Sequence, residues 1–211
     1  MIFKNRIQAA NLLAQKLIQY RGTKPLVLAI PRGGVPLGRV IADFLGGELD
    51  VLMVRKIGAP RDPELAIGAV SEGGEVFIST LAATTGATEE YIETEVGRQI
   101  SVMHRRRSQY TPVRSPISPR DRVVIVVDDG LATGATMLTG LRALQNLNPK
   151  KLICALPVAA ANSLSDVSEY CDEVICLSEE FNFHGLGAFY EDFTQVEDGE
   201  VIDLLADGQG L

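Results

Sequence analysis

The sequence predicts an α/β protein built on a doubly wound, mostly parallel sheet, with a hairpin and helix inserted midway and a small C-terminal appendage. Three observations predict it. Near-continuous apolar runs of strand length recur at residues 26–30, 49–54, 123–127, 152–157 and 173–177. Segments of helical character, 35–45, 135–146 and 162–170, separate them, and strands of that kind alternating with helices belong to parallel sheets covered on both faces. The chain has 211 residues, 46% of them hydrophobic, enough for one sizeable core but not for two full domains.

The elements follow in order. Ile7, Ala10, Ala14, Leu17 and Ile18 recur at helical spacing before Gly22, so the chain opens with an amphipathic helix. The run at 26–30 breaks at Pro31-Arg32-Gly33-Gly34, the helix 35–45 follows, and the run 49–54 ends at Arg55-Lys56, completing a βαβ unit. Residues 66–71 and 75–80, joined across Glu72-Gly73-Gly74, read as a hairpin. Thr88 then stands as an N-cap before Glu89 and Glu90, and Ile92, Val96, Ile100 and Met103 share one helical face. That helix is expected to end in Arg105-Arg106-Arg107, where positive charge suits a helix C-terminus and solvation is the simplest reading. The Ser/Pro-rich stretch 115–119 leads back into the sheet. The expected organisation is a core at 1–177, carrying an insertion at about 58–119, and an appendage with a C-terminal helix at 178–211.

Composition narrows the function. A formal net charge of −7 repels polyanions, so nucleic-acid or membrane-surface partners are not expected, and any phosphate chemistry must be local. Cys154, Cys171 and Cys176 lack C-x-x-C spacing and read as core fillers in a reducing compartment. The first twenty residues are too polar for a signal peptide, and no window approaches eighteen uncharged apolar residues. A cytoplasmic location is the expectation.

The segment with the most chemistry runs from Val123 to Met137: a buried strand, two carboxylates, a turn of small and hydroxyl residues, and a helix. Ala132, Gly134 and Ala135 let backbone N–H groups approach an anion, the helix N-terminus adds a favourable dipole, and Thr133 and Thr136 offer hydroxyl donors. Asp128 and Asp129 would repel that anion if they faced it, so they belong beside it, on hydroxyls or a divalent cation. A phosphorylated sugar with a metal-bound anion satisfies both halves. No Gly-Lys-Ser/Thr and no G-x-G-x-x-G is present, which excludes a Walker A loop and a dinucleotide fingerprint.

Residues 127–136, Val-Asp-Asp-Gly-Leu-Ala-Thr-Gly-Ala-Thr, resemble the phosphoribosyl pyrophosphate (PRPP) signature of the type I phosphoribosyltransferases. The resemblance implies that Asp128 and Asp129 contact the ribose hydroxyls, touching metal only indirectly, and that Ala132, Thr133, Gly134, Ala135 and Thr136 wrap the 5-phosphate. It also implies Mg²⁺ as cofactor, a homodimer, and transfer of the phosphoribosyl group to a nitrogen nucleophile with loss of pyrophosphate. Pro31-Arg32-Gly33-Gly34-Val35 looks like the family's pyrophosphate loop, and Arg55-Lys56 sit where the family places basic residues beside the pyrophosphate. The Gly33-Gly34 pair can itself expose N–H donors to an anion, and Arg32 adds a forked one. The stretch Arg55-Lys-Ile-Gly-Ala-Pro to Ser-Glu72 is similar to a bacterial subgroup of the family.

In this frame Arg32, Arg55 and Lys56 neutralise the leaving group, residues 58–72 are expected to be a closing loop, and Glu64 is the candidate general base. Hypoxanthine–guanine members of the family carry an Asp where this chain has Ala132, whereas adenine members have Ala, which argues against a 6-oxopurine acceptor. The acceptor pocket falls to the family's hood, placed at 178–195, with Phe183, His184 and Tyr190 as the rings to meet a flat heterocycle. The competing reading is a PRPP-binding regulator without turnover. It needs a nucleic-acid face, for which Arg105, Arg106, Arg107 and Arg114 form the available basic cluster.

Overall fold

The computed structural model describes residues 1–206. It has a five-stranded sheet in which β1 (Leu26–Ala29), β2 (Glu48–Val51), β6 (Val123–Val127), β7 (Lys151–Ala160) and β8 (Glu173–Glu180) stand in the order β2-β1-β6-β7-β8. Every pairing in this sheet is parallel. A separate three-stranded antiparallel sheet holds β3 (Val54–Ala59), β4 (Asp62–Ser71) and β5 (Val76–Ile78).

Helices cover both faces of the parallel sheet. On one face Val27, Ala29, Val51, Ile125 and Val127 pack with residues of α1 (Arg6–Lys16), α2 (Gly34–Leu45) and α6 (Asp198–Ala206). On the other, Leu26, Leu28, Val124, Val126 and Cys154 pack with α4 (Ala135–Gln145) and α5 (Ala161–Ser168). Alternate residues of one strand thus enter opposite cores, which is why these strands read as unbroken apolar runs. Asn5 caps α1 by accepting from the Gln8 amide at 3.0 Å, and Thr88 caps α3 (Glu89–Tyr110) by accepting from Tyr91 at 3.2 Å.

Several expectations change. The run 49–54 is not one strand: β2 stops at Val51, and after Leu52 and Met53 the chain enters β3 of the other sheet. Arg55 and Lys56 therefore lie within an antiparallel strand and not at the carboxyl end of a parallel one. Residues 58–72 are mostly strand, turning at Pro60-Arg61, so the expected closing loop is a β3–β4 hairpin. Helix α3 continues past the arginine run to Tyr110. Arg107 is enclosed, donating to Asp50 at 2.9 Å, to Glu72 at 3.2 Å and to the Val51 carbonyl at 3.0 Å, which gives the charge internal partners in place of water.

The boundary placed at 177/178 falls inside β8, and Phe3 pairs with Tyr190, so the segment after β8 and the N-terminal segment build the hood together. The expected C-terminal helix is α6 and lies against α2 and α3; residues 207–211 of the predicted appendage lie outside the described residues. The three cysteines are free thiols, and burial pushes each upward from its ordinary pKa. Among the described residues no helix is long and apolar enough to cross a membrane.

Candidate functional site

Strand order reverses between β1 and β6, and their carboxyl ends lie side by side: Ala29 pairs with Val127, and the Ile30 amide donates to the Val127 carbonyl at 2.9 Å. Open parallel sheets hold ligands in the crevice formed at such a switch point. Here it receives two loops, residues 30–33 after β1 and 128–134 after β6.

The second loop is fixed at several points. The Leu131 amide donates to Val158, the Ala160 amide to Leu131, both at 2.9 Å, and the Ser163 hydroxyl to the Ala132 carbonyl at 2.6 Å. Gly134 caps α4 with φ +76°, a left-handed conformation that costs a side-chain-bearing residue energy. With its ends held this way, the turn presents Ala132 and Thr133 outward at the N-terminus of α4. Asp128, Gly130, Ala132, Thr133, Gly134, Thr136 and the hood's Leu186 line a cavity of about 170 Å³. Ala135 begins the helix but is buried against Val54 and Ala69. A larger cavity, about 780 Å³, lies near Thr23, Lys24, Glu48 and Lys150, at the amino ends of the strands. Size does not make it the site, because the loops with anion-binding chemistry are at the other end of the sheet.

The two aspartates differ. Asp128 lines the cavity and accepts the Asp129 amide at 2.8 Å. Burial, reinforced by the neighbouring Asp129 charge, pushes its carboxyl well above the usual range. Asp129 is turned away, its Oδ2 receiving Arg6 Nε at 2.9 Å and Nη2 at 2.8 Å. Burial raises it as well, with Arg6 opposing. The same carboxylate rests against the first loop, so closely that a Cβ on Gly33 would stand 2.0 Å from its Oδ2. Of the two aspartates expected at the ribose, Asp128 lines the cavity, while the Asp129 carboxylate ties the first loop to the N-terminal helix.

Gly34 is equally constrained, since a Cβ there would lie 2.7 Å from the Val127 carbonyl oxygen and 3.1 Å from the Asp128 Cα, both backbone atoms. Gly34→Ala is expected to push α2 away from β6, at a cost of about 1–3 kcal/mol in urea unfolding; an unchanged midpoint would show the approach to be looser than described.

The remaining expected residues are placed as follows. Arg32 is near the crevice and pairs with Glu197 at 3.2 Å and Asp198 at 3.9 Å; the Pro31–Arg32 peptide is cis. Arg55 donates to Gln99 of α3. Lys56 and Glu64 pair with each other at 2.8 Å on exposed strands, with Glu64 89% exposed, and neither lines the cavity. Tyr190 is not open to a ligand: its ring lies between Phe3 and Phe193, with centroids at 5.5 and 5.0 Å, and its hydroxyl donates to the Asp129 carbonyl at 2.7 Å. Phe183 packs on Phe189 at 5.2 Å, and His184 is exposed. Sequence reasoning missed Arg6, Leu186 and Ser163. Arg6 is 123 positions from its partner, and nothing in the local pattern could have joined them.

A parallel sheet with this switch-point loop pair and a hood over one of the loops is the fold of the type I phosphoribosyltransferases. The chain belongs to the family of the phosphoribosyl transferase domain, which matches residues 1–191. It is 40% identical to the protein TT1426 of Thermus thermophilus, whose crystal structure aligns over 100% of both chains with a TM-score of 0.83. It is also 35% identical over 205 residues to proteins of two Mycobacterium tuberculosis strains that carry provisional phosphoribosyl transferase names, covering 97% of this chain and 46% of theirs. The chain thus spans about half the length of those curated relatives.

Proposed function

We propose that this chain transfers the 5-phosphoribosyl group of PRPP to a nitrogen nucleophile, a nucleobase, with release of pyrophosphate. The observation that carries the reading is the pairing, in one cavity of about 170 Å³, of the Asp128 carboxylate with the turn 132–136. The turn supplies N–H and hydroxyl donors for a phosphate, and the carboxylate supplies an acceptor for sugar hydroxyls. Arg32, on the adjoining loop, extends the crevice toward the leaving group.

Among the described residues no group of three or more His, Cys, Asp and Glu gathers to hold a metal. Mg²⁺ is commonly held by one or two carboxylates together with substrate phosphates rather than by an all-protein cage, and the Asp128 carboxylate at the cavity wall is a donor of that kind. Asp128 would hold it, through water or the ribose hydroxyls. When bound, the ion would supply charge neutralisation on the pyrophosphate. The residues present do the rest: the turn fixes the phosphate, Asp128 orients the ribose, and Leu186 covers the cavity against water. Phe183 and His184 remain the ring-bearing hood residues for an acceptor to meet, whereas Tyr190 supports Asp129 from within. The basic cluster a regulator would need is largely used internally, by Arg107 with Asp50 and Arg114 with Glu48.

Calorimetric titration with PRPP, with and without Mg²⁺, followed by a panel of nucleobases with pyrophosphate release recorded, tests the reading. Metal-dependent binding and release on one base are expected. Binding without release would favour a regulator, and absence of PRPP binding would remove the proposal.

A further inference from the structure

The turn that offers donors to a phosphate also contains an acceptor, the Ala132 carbonyl, and α5 holds that acceptor from behind. β7 runs past its last pairing with β6, at Ala155, as far as Ala160. There it pairs with the turn itself through a bridge between Leu131 and Ala159, so α5 begins beneath the turn. Ser163, in the first turn of α5 and 9% exposed, donates its hydroxyl to the Ala132 carbonyl at 2.6 Å. It is near enough that a Cβ on Gly134 would stand 3.3 Å from the Ser163 Cβ. Ala132 and Thr133 line the cavity and Ser163 does not, so the hydroxyl approaches the turn from outside the cavity. The Ala132 carbonyl and the Thr133 N–H belong to one planar trans peptide, in which the two groups point in opposite directions. Holding the carbonyl toward α5 therefore aims the N–H the other way, toward the cavity. Among the described residues no acceptor takes this N–H.

We infer that Ser163 is a positioning residue for the 5-phosphate of the donor: it sets the Ala132–Thr133 peptide so that the Thr133 N–H meets the phosphate and the carbonyl does not. The inference rests on the PRPP reading of the turn. It gives α5, which supplies no side chain to the cavity wall, a part in donor binding. A reversed peptide would cost the turn a donor and set a carbonyl oxygen against the phosphate. Hydrogen bonds from N–H groups to an ionised acceptor are about twice as strong as neutral ones. The direction of one peptide therefore decides more of the donor's affinity than the Ser163 hydrogen bond decides of the fold.

The test titrates the full chain with ribose 5-phosphate and with PRPP, in the presence of Mg²⁺, and follows the backbone amides by NMR. In wild type, ribose 5-phosphate is expected to move the Thr133 amide proton downfield, the sign of a new hydrogen bond. Ser163→Ala is expected to bind ribose 5-phosphate about tenfold or more weakly, with that shift reduced. Ser163→Thr, which keeps a hydroxyl, is expected to recover most of the affinity. Val167→Ala loosens the same helix on its buried side, away from the turn, and is expected to lower the melting temperature while keeping wild-type affinity. Wild-type affinity in Ser163→Ala overturns the inference. An equal loss in Val167→Ala also overturns it, because the effect would then belong to the packing of α5, and a threonine variant no better than the alanine one counts the same way. If wild type binds neither ribose 5-phosphate nor PRPP, the PRPP reading falls and the inference with it, whereas binding undiminished in Ser163→Ala removes the inference alone.

Discussion

Asp128→Asn is expected to lower PRPP affinity at least about 100-fold and, in the same protein, to raise the melting temperature. The affinity loss follows from the loss of a carboxylate at the wall of the cavity, which donor hydroxyls and a bound cation would hold in its ionised form, hydrogen bonds to an ionised acceptor being worth about 1.5–3 kcal/mol each. The stability gain follows from the direction in which the fold moves this group. Burial and the adjacent Asp129 charge push Asp128 up, so the folded state favours its neutral form and stability is lost as pH rises from the ordinary aspartate range through the raised folded-state pKa. Asparagine removes that cost, and its side-chain oxygen can still accept the Asp129 amide, now 2.8 Å away. A gain of about 2–4 °C corresponds to about 1 kcal/mol in a chain of this size, and it should shrink toward acid as the wild-type carboxyl is protonated. Calorimetry and thermal unfolding at pH 7 check both halves. Retained PRPP binding would take Asp128 out of the donor site, and a lowered melting temperature would show that its charge is structural.

How much of this could be read in the sequence depended on how local the cause was. The strand–turn–helix at 123–137 was legible almost to the residue, since strand, turn and helix start are each specified by neighbours: β6 is Val123–Val127 and α4 starts at Ala135. Thr88 was legible for the same reason, its side chain serving an amide three residues away. The run 49–54 misled because an apolar residue buried in either sheet gives the same signal, and periodicity does not record that the chain changes sheets at Leu52-Met53. The hood rings misled in a related way. Aromatic residues announce burial, but whether Tyr190 stacks on a ligand or on Phe193 depends on where Phe3 arrives from the other end of the chain. The arginine run looked solvated because its acids, Asp50, Glu72 and Asp198, are supplied by three different segments.

Arg6→Met is expected to destabilise the protein by about 3–5 kcal/mol at neutral pH, the loss typical of a buried pair deprived of one partner. Methionine keeps much of the apolar stem but leaves Asp129, 7% exposed, without its counter-ion. It also removes the donation to the Thr194 carbonyl at 2.7 Å and the contact with the Phe193 ring, whose centroid lies 4.0 Å from the guanidinium carbon. Adding Asp129→Asn should restore the part due to the unpaired charge, leaving a deficit of about 1–2 kcal/mol for the lost hydrogen bond and cation–π contact. The pH dependence has a definite sign. Arg6 holds Asp129 down against burial, so removing it raises this carboxyl further, and the deficit relative to wild type is largest where Asp129 is ionised and fades as pH falls and the group is neutralised. Urea unfolding of the single and double variants at neutral and acidic pH measures all of this. A loss below about 1 kcal/mol at neutral pH, or no recovery in the double variant, would mean that Asp129 does not depend on Arg6. Because Asp129 also rests on Gly33, the single variant should loosen the loop that carries Arg32, and its PRPP affinity should fall even though Arg6 lies outside the cavity lined by Asp128.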